Sequence, residues 1–220
     1  MIDRFMKRFR RSGKSWDHRF SATTAVPPWR GRTSLDLHER ALDSGWIASH
    51  SDILDVGCGE GTLTLRLAER TNGRIHGIDI SNLAIDLAQK GAQLANFSHR
   101  LTYEVVDLFD SEGFIKKNRS RFDLAVDVGC FHNFKKEKDE IFITKLMAEV
   151  LKPNGKWLLA MRAFRDDSKT SRREEEQQLT DHLRAVTAEL FHLEQVQKCD
   201  LTGPNSPKEM PGLAFFFVKI

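Results

Sequence analysis

The sequence predicts an α/β fold: a doubly wound, seven-stranded sheet, mostly parallel with an antiparallel last strand, and helices on both faces. Three observations predict it. From Asp52 onward, apolar runs of strand length alternate with stretches of helical periodicity, which implies successive βαβ units. The apolar run around Ile53-Leu54-Asp55-Val56 feeds directly into the turn Gly57-Cys58-Gly59-Glu60-Gly61, the strand–turn–helix passage at which such sheets bind nucleotides. Near the end, the loop from Leu201 to Gly212 carries Pro204, Pro207 and Pro211. It admits no crossover helix, so the final strand inserts antiparallel beside its predecessor.

The elements follow in order. Ile2, Phe5, Met6 and Phe9 recur at helical spacing with basic residues between them, the pattern of a short amphipathic helix. Pro27-Pro28-Trp29-Arg30-Gly31 is a turn or extended loop, because neither proline has an amide donor. Ser34 to Ser49 reads as a helix. Strands are expected over Asp52–Val56, Arg74–Ile80, Leu101–Val106, Phe122–Val128, Lys156–Ala163, His192–Asp200 and Leu213–Ile220. The helices between them cover Thr62–Arg70, Ser81–Asn96, a short stretch near Ser111–Lys117, Lys136–Leu151 and Gln178–Leu190. Asn72-Gly73 and Pro153-Asn154-Gly155 supply stop signals. Arg165 to Gln178, with its run of charges, reads as a solvated loop and helix start, or as a mobile lid. Phe215-Phe216-Phe217, Trp157 and Phe122 read as core, the last strand being buried on both faces.

A chain of 220 residues with 40% hydrophobic and 30% charged residues is a soluble globular composition with room for one core. Its longest purely apolar run, Leu213 to Val218, is too short to cross a bilayer. Cys58, Cys130 and Cys199 are widely spaced. They form neither a disulfide framework nor the close pairs of a metal site, so no metal and a reducing, cytoplasmic home are expected. The net charge of +3 is unlike that of a dedicated nucleic-acid binder. Residues 1–32, however, hold nine Lys/Arg against Asp3 and Asp17, which sets a basic arm apart from a slightly acidic domain over residues 33–220. The arm has three readings: a lid on the domain, a membrane-surface helix, or a contact for RNA phosphates.

The glycine turn carries the chemistry. Asp79 ends the next strand twenty residues beyond Gly59, where a carboxylate accepts hydrogen bonds from ribose hydroxyls. Two features argue against a dinucleotide. Thr62 stands where the full fingerprint has its third glycine, and Glu60 puts a negative charge where a pyrophosphate lies. S-adenosylmethionine carries adenosine, a sulfonium cation and no phosphate, so Asp55 and Glu60 suit it.

On these residues the chain resembles the class I S-adenosylmethionine-dependent methyltransferases over roughly residues 51–220. Asp55, Gly57, Gly59 and Gly61 fall on the acidic-x-Gly-x-Gly-x-Gly motif. The resemblance implies that this loop, with Cys58, holds the methionine part of the cofactor. It also implies that Asp79 binds the ribose, that Ile80 and Leu108 flank the adenine, and that Asp107 contacts its amino group. Each residue has a plainer reading as well: Asp107 caps the turn toward Ser111, Asp79 caps the helix at Ser81, and Asp55 is satisfied by nearby amides.

Asp127-Val128-Gly129-Cys130-Phe131-His132 resembles an Asp-x-Gly-x-Phe-His segment of small-molecule methyltransferases, and Pro27-Pro28-Trp29 resembles the Pro-Trp arm of the thiopurine and halide or thiol group. The resemblance implies that Asp127 and Trp29 touch the cofactor and that the acceptor is a small molecule. Methyl transfer is an in-line displacement for which positioning does much of the work. A hydroxyl or amine acceptor also gains from a base, and His132 is placed for it. His132 as a loop imidazole bonded to backbone is the other reading. An RNA or protein substrate and a non-catalytic cofactor-binding module stand as alternatives.

Overall fold

A computed structural model describes residues 12–21, 30, 35–163, 171–206 and 208–220. Its strands are β1 (Ile53–Val56), β2 (Ile75–Asp79), β3 (Leu101–Val105), β4 (Phe122–Val128), β5 (Leu151–Arg162), β6 (Phe191–Asp200) and β7 (Pro211–Lys219). They pair in one sheet of order β3-β2-β1-β4-β5-β7-β6. β1 pairs in parallel with β2 and with β4, and the parallel pattern continues through β3 and β5. β7 runs antiparallel between β5 and β6. The chain winds outward from β1 to β3 and then returns to start again at β4, so the crevice at the carboxyl ends of β1 and β4 is the switch point at which such sheets hold ligands.

The described helices are α1 (Gly13–Phe20), α2 (Leu35–Asp43), α3 (Thr62–Arg70), α4 (Asn82–Leu94), α5 (Glu112–Asn118), α6 (Glu137–Val150) and α7 (Arg172–Thr187). They cover both faces. Leu37, Leu63, Leu67 and Ala92 bury one face of the sheet with Ile53, Ile75 and Val126. Phe114, Ile143, Leu146 and Leu183 bury the other with Leu54, Val56 and Trp157. Alternate residues of β1 therefore enter different cores, which is why its whole run is apolar except for Asp55. Phe215, Phe216 and Phe217 are buried in β7 as expected of an inner strand.

Beyond small shifts at other ends, three boundaries and one whole element differ from the sequence expectation. α2 stops at Asp43 because Gly45 adopts a left-handed φ of 75° beyond its last turn. β5 begins at Leu151, which pairs with Phe122 before the register shifts at a bulge containing left-handed Asn154. The Pro153-Asn154-Gly155 stop signal is thus absorbed into the strand. α7 starts at Arg172, where Ser171 and Glu174 close a reciprocal capping box. Its first turns are largely exposed and charged, so apolar periodicity is silent there. α1 is an element the apolar pattern does not announce. The helix expected at Ile2–Phe9, the Pro27-Pro28-Trp29 turn and residues 165–170 of the Arg165-to-Gln178 loop lie outside the described residues.

Candidate active site

The glycine turn is folded by its own backbone. Gly57, Gly59 and Gly61 all have positive φ (69°, 55° and 79°), a conformation that costs other residues about 1–2 kcal/mol. The amides of Gly57 and Cys58 both donate to the carbonyl of Ile78, at 2.8 and 3.0 Å, tying the turn to the end of β2. Space is as restrictive as torsion: a Cβ on Gly57 would lie 2.6 Å from Cys130 Cβ, and one on Gly61 would lie 2.9 Å from the Tyr103 hydroxyl. The buried Cys58 packs beneath the turn near Gly77.

Asp79 braces this turn. Its Oδ2 accepts the Gly59 amide at 3.0 Å and its Oδ1 the Ser81 amide at 2.9 Å. A carboxylate has about four acceptor positions; these two amides, with a smaller contribution from the Ile80 amide, leave at least one for a ribose hydroxyl. Asp79 thus joins the helix-start role to the position expected of a ribose ligand. Asp55 is buried in β1, and its Oδ2 accepts the Thr64 hydroxyl at 2.6 Å. Asp127, buried at the end of β4, accepts the amides of Cys130 and Phe131 at 2.8 and 3.2 Å through Oδ1. That carboxylate shapes its own turn.

Burial pushes the carboxyls of Asp55 and Asp127 up to about 7, partly offset by their hydrogen bonds. Burial also raises Asp79. Mutual repulsion adds to this: Asp79 acts on Asp55, Asp55 on Asp127, and Asp17 on Asp79. A bound cation relieves such a cluster.

Asp107 Oδ1 accepts the Phe109 amide at 3.0 Å, so it turns the chain after β3. Leu108 is buried and Ile80 half-buried on either side of the β2 and β3 ends. His132 lies in a single 3-10 turn, Phe131–Asn133, after β4. Phe131 anchors that turn in the core against Trp157, at a centroid separation of 5.5 Å. Burying such a ring contributes about 1.5–3 kcal/mol, which holds the half-exposed His132 at the crevice. Trp29 lies outside the described residues.

Sequence reading offered a lid from residues 1–32 but not the residues that roof the site. α1 lies over the crevice: a Cβ on Gly13 would meet the Ile80 carbonyl at 2.6 Å, and one on Gly59 would meet the Phe20 ring at 3.3 Å. Asp17 Oδ1 accepts the Ser81 hydroxyl and the Leu83 amide, at 2.6 and 3.1 Å, at the start of α4. Arg30 Nε donates to Glu60 Oε2 at 2.7 Å. That pair also compensates the Glu60 charge, so the anionic character of the pocket rests on Asp55, Asp79 and Asp127. These contacts join residues 17, 20 and 30 to residues far along the chain, and no local spacing signals them.

Residues 47–202 match the family model described as a methyltransferase domain. The chain belongs to the class I S-adenosylmethionine-dependent methyltransferases. It is 32% identical over 117 residues to a 2-heptyl-1-hydroxyquinolin-4(1H)-one methyltransferase of Mycobacteroides abscessus, covering 53% of this chain and 48% of that protein. It is 36% identical over 84 residues to a tRNA1(Val) (adenine(37)-N6)-methyltransferase of Porphyromonas gingivalis, covering 38% of this chain and 32% of the relative. The chain thus spans half or less of the length of these relatives. A solved structure from work on converting a disulfide bond into a thioacetal group during echinomycin biosynthesis superimposes with a TM-score of 0.74 at 20% identity. That superposition covers 94% of this chain and 92% of the other, and it shows the shared fold. The family's cofactor, S-adenosylmethionine, fits the residues present: a glycine turn with no side chains in the way, a carboxylate at the end of β2 with acceptor capacity to spare, and a carboxyl cluster that favours a cation.

Proposed function

We propose that this chain transfers a methyl group from S-adenosylmethionine to a small-molecule acceptor, with Asp55, the Gly57–Gly61 turn, Asp79, Ile80, Asp107 and Leu108 holding the cofactor. The observation that carries this reading is the set of three carboxyls, Asp55, Asp79 and Asp127, packed round one glycine turn and pushed upward by burial and mutual repulsion. A phosphate would aggravate that repulsion, whereas a sulfonium relieves it.

When bound, the cofactor supplies a methyl group already activated by the positive sulfur. The protein then has to position the acceptor, exclude water and take up a proton. His132 receives the proton of a hydroxyl or amine acceptor, while Asp127 holds the turn that presents it. A wall of aromatic rings adjoins this turn. Phe109 stacks on Phe142 at 5.4 Å, and Phe134 stands edge-on to Phe109 at 5.3 Å. These rings favour a flat or apolar acceptor over a polymer. No helix among the described residues is long and apolar enough to cross a membrane, and the free thiols of Cys58, Cys130 and Cys199 accord with a reducing cytoplasm.

Thermal unfolding with S-adenosylmethionine tests the cofactor. At a hundred times its dissociation constant, a native-state ligand adds about 2.7 kcal/mol, which is about 5–11 °C for a domain of this size. No shift at millimolar cofactor refutes the reading. An acceptor panel of small hydroxyl, amine and thiol compounds, with tRNA and protein as comparators, is then read by S-adenosylhomocysteine release. Turnover confined to a polymer overturns the small-molecule assignment. His132→Ala is expected to lower kcat with a hydroxyl or amine acceptor while leaving cofactor affinity unchanged; equal losses in both would assign it to structure.

A further inference from the structure

Tyr103 is the single tyrosine of the chain, and β3 sets it in a row with the acid at the head of the glycine turn. In register, Asp55 of β1 stands opposite Gly77 of β2, and Gly77 stands opposite Tyr103 of β3, so all three project from one face of the sheet. The middle residue leaves the row open. A Cβ on Gly77 would lie 2.6 Å from Tyr103 Cδ1 and 2.9 Å from Cys58 Sγ. The tyrosine ring therefore lies across β2, a strand spacing of about 4.8 Å, and its hydroxyl reaches the underside of the turn, 2.9 Å from where a Gly61 Cβ would stand.

The hydroxyl arrives beside a buried carboxyl pair partner. Thr64, buried in α3, donates its hydroxyl to Asp55 Oδ2 at 2.6 Å, and its oxygen can still accept. The Tyr103 hydroxyl is buried next to Thr64 and has no other partner of good hydrogen-bond geometry among the described residues. Leaving a buried hydroxyl unbonded is costly, and the Thr64 oxygen is the acceptor that removes the cost. Burial also pushes the phenol up, so Tyr103 keeps its proton and acts as a donor. The titratable groups around Asp55 are Asp79 from the end of β2, Asp127 from β4, Cys58 from the turn and Cys130 after β4, while α4 brings Ala88 to the same place. Every one of these groups opposes a charge on Asp55, so a chain of donors ending on that carboxylate matters to it.

Resting on the cofactor reading above, we propose that Tyr103 is a positioning residue: its hydroxyl donates to Thr64 and Thr64 donates to Asp55, a hydroxyl relay that holds the Asp55 carboxylate by Oδ2 and leaves Oδ1 for the cation of the cofactor. A ring alone would fill the row equally well; the relay needs the oxygen.

Tyr103→Phe keeps the ring and deletes the donor. Calorimetry with S-adenosylmethionine on the full chain is expected to show affinity weakened about threefold to tenfold, the usual worth of one hydrogen bond. The rise of affinity with pH is expected to move upward, because Asp55 loses support for its charged form. In an Asp55→Asn background the same substitution is expected to change affinity by less than about twofold. A second readout needs no change at Tyr103 and covers the case in which the phenylalanine variant fails to fold. With an isotope label on the phenol Cζ, the single tyrosine gives one NMR signal, expected to shift as Asp55 titrates near its raised value of about 7 and to stay still in Asp55→Asn. Unchanged affinity in Tyr103→Phe, an equal loss with and without the Asp55 carboxyl, or a label signal indifferent to Asp55 each overturns the proposal and leaves the cofactor reading standing. A wild type that does not bind S-adenosylmethionine refutes the cofactor reading and this role with it.

Discussion

Asp79→Asn separates ribose binding from loop support, because the structure gives this carboxylate both tasks and their energies differ in sign. Asparagine keeps the volume and one acceptor oxygen, so one of the Gly59 and Ser81 amides stays bonded while the other faces an NH2 group. Losing one charge-assisted bond costs about 1.5–3 kcal/mol. Against this, the substitution removes a carboxylate whose ionised form is already opposed by burial and by Asp17, and that relief offsets part of the cost. The net stability change is therefore small, a fall in Tm of no more than about 4 °C, since about 1 kcal/mol moves a domain of this size by roughly 2–4 °C.

Ligand affinity has no such offset. Losing the contacts to ribose hydroxyls costs about 1–3 kcal/mol, or about 5- to 150-fold in dissociation constant. The assay is calorimetric titration with S-adenosylhomocysteine and its 2′-deoxy analogue, alongside a thermal melt. The wild type should discriminate the two ligands and the variant should not. A dissociation constant within twofold of wild type refutes the reasoning. So does a loss of affinity that comes only with a collapse in Tm.

Two further predictions follow from the same geometry. Gly57→Ala adds a left-handed strain of about 1–2 kcal/mol to a 2.6 Å approach to Cys130 Cβ, and should lower Tm by at least about 4 °C while weakening cofactor binding. Cys130→Gly in the same chain should return part of the loss, and no recovery would show that torsion alone is responsible. Asp55 and Asp127, raised to about 7, are neutral below that pH and charged above it. Cation affinity should therefore rise between pH 6 and 8, and Asp55→Asn should flatten the rise; a flat wild-type profile contradicts the acid-cluster argument. For the free protein the sign reverses. The folded state holds protons that the unfolded chain has lost above about pH 4, so these two groups reduce stability as pH climbs from about 4 to 7.

The alternation of elements, the insertion of β7 and the acid–glycine turn were legible because each is written in local periodicity or in a short motif. Phe215 to Phe217 read as an inner strand for the same reason: continuous apolarity has few other homes. Less was legible where charge or proline hid the pattern. The first turns of α7 face water, so only the capping pair Ser171 and Glu174 marks their start, and the Pro153-Asn154-Gly155 signal ends a helix while also bulging a strand. The residues that roof the site were not legible because Asp17, Phe20 and Arg30 find partners 30 or more residues away, and the charge of Glu60, the partner of Arg30, reads in the sequence only as opposing a pyrophosphate and suiting a sulfonium. Asp127 shows a further limit. Its motif position suggests a ligand contact, and only the fold brings the Cys130 and Phe131 amides onto its oxygens.

The placement of β7 has a consequence for biosynthesis. A ribosome delivers residues 151–200 before residues 211–219, yet the later segment is the one that seals the gap between β5 and β6. Until it emerges, two long strands present open backbone and the aromatic residues Trp157 and Phe191 lack their neighbour Phe217. Premature termination anywhere upstream of Pro211 should accordingly yield a sticky, chaperone-dependent product rather than a shortened but serviceable one.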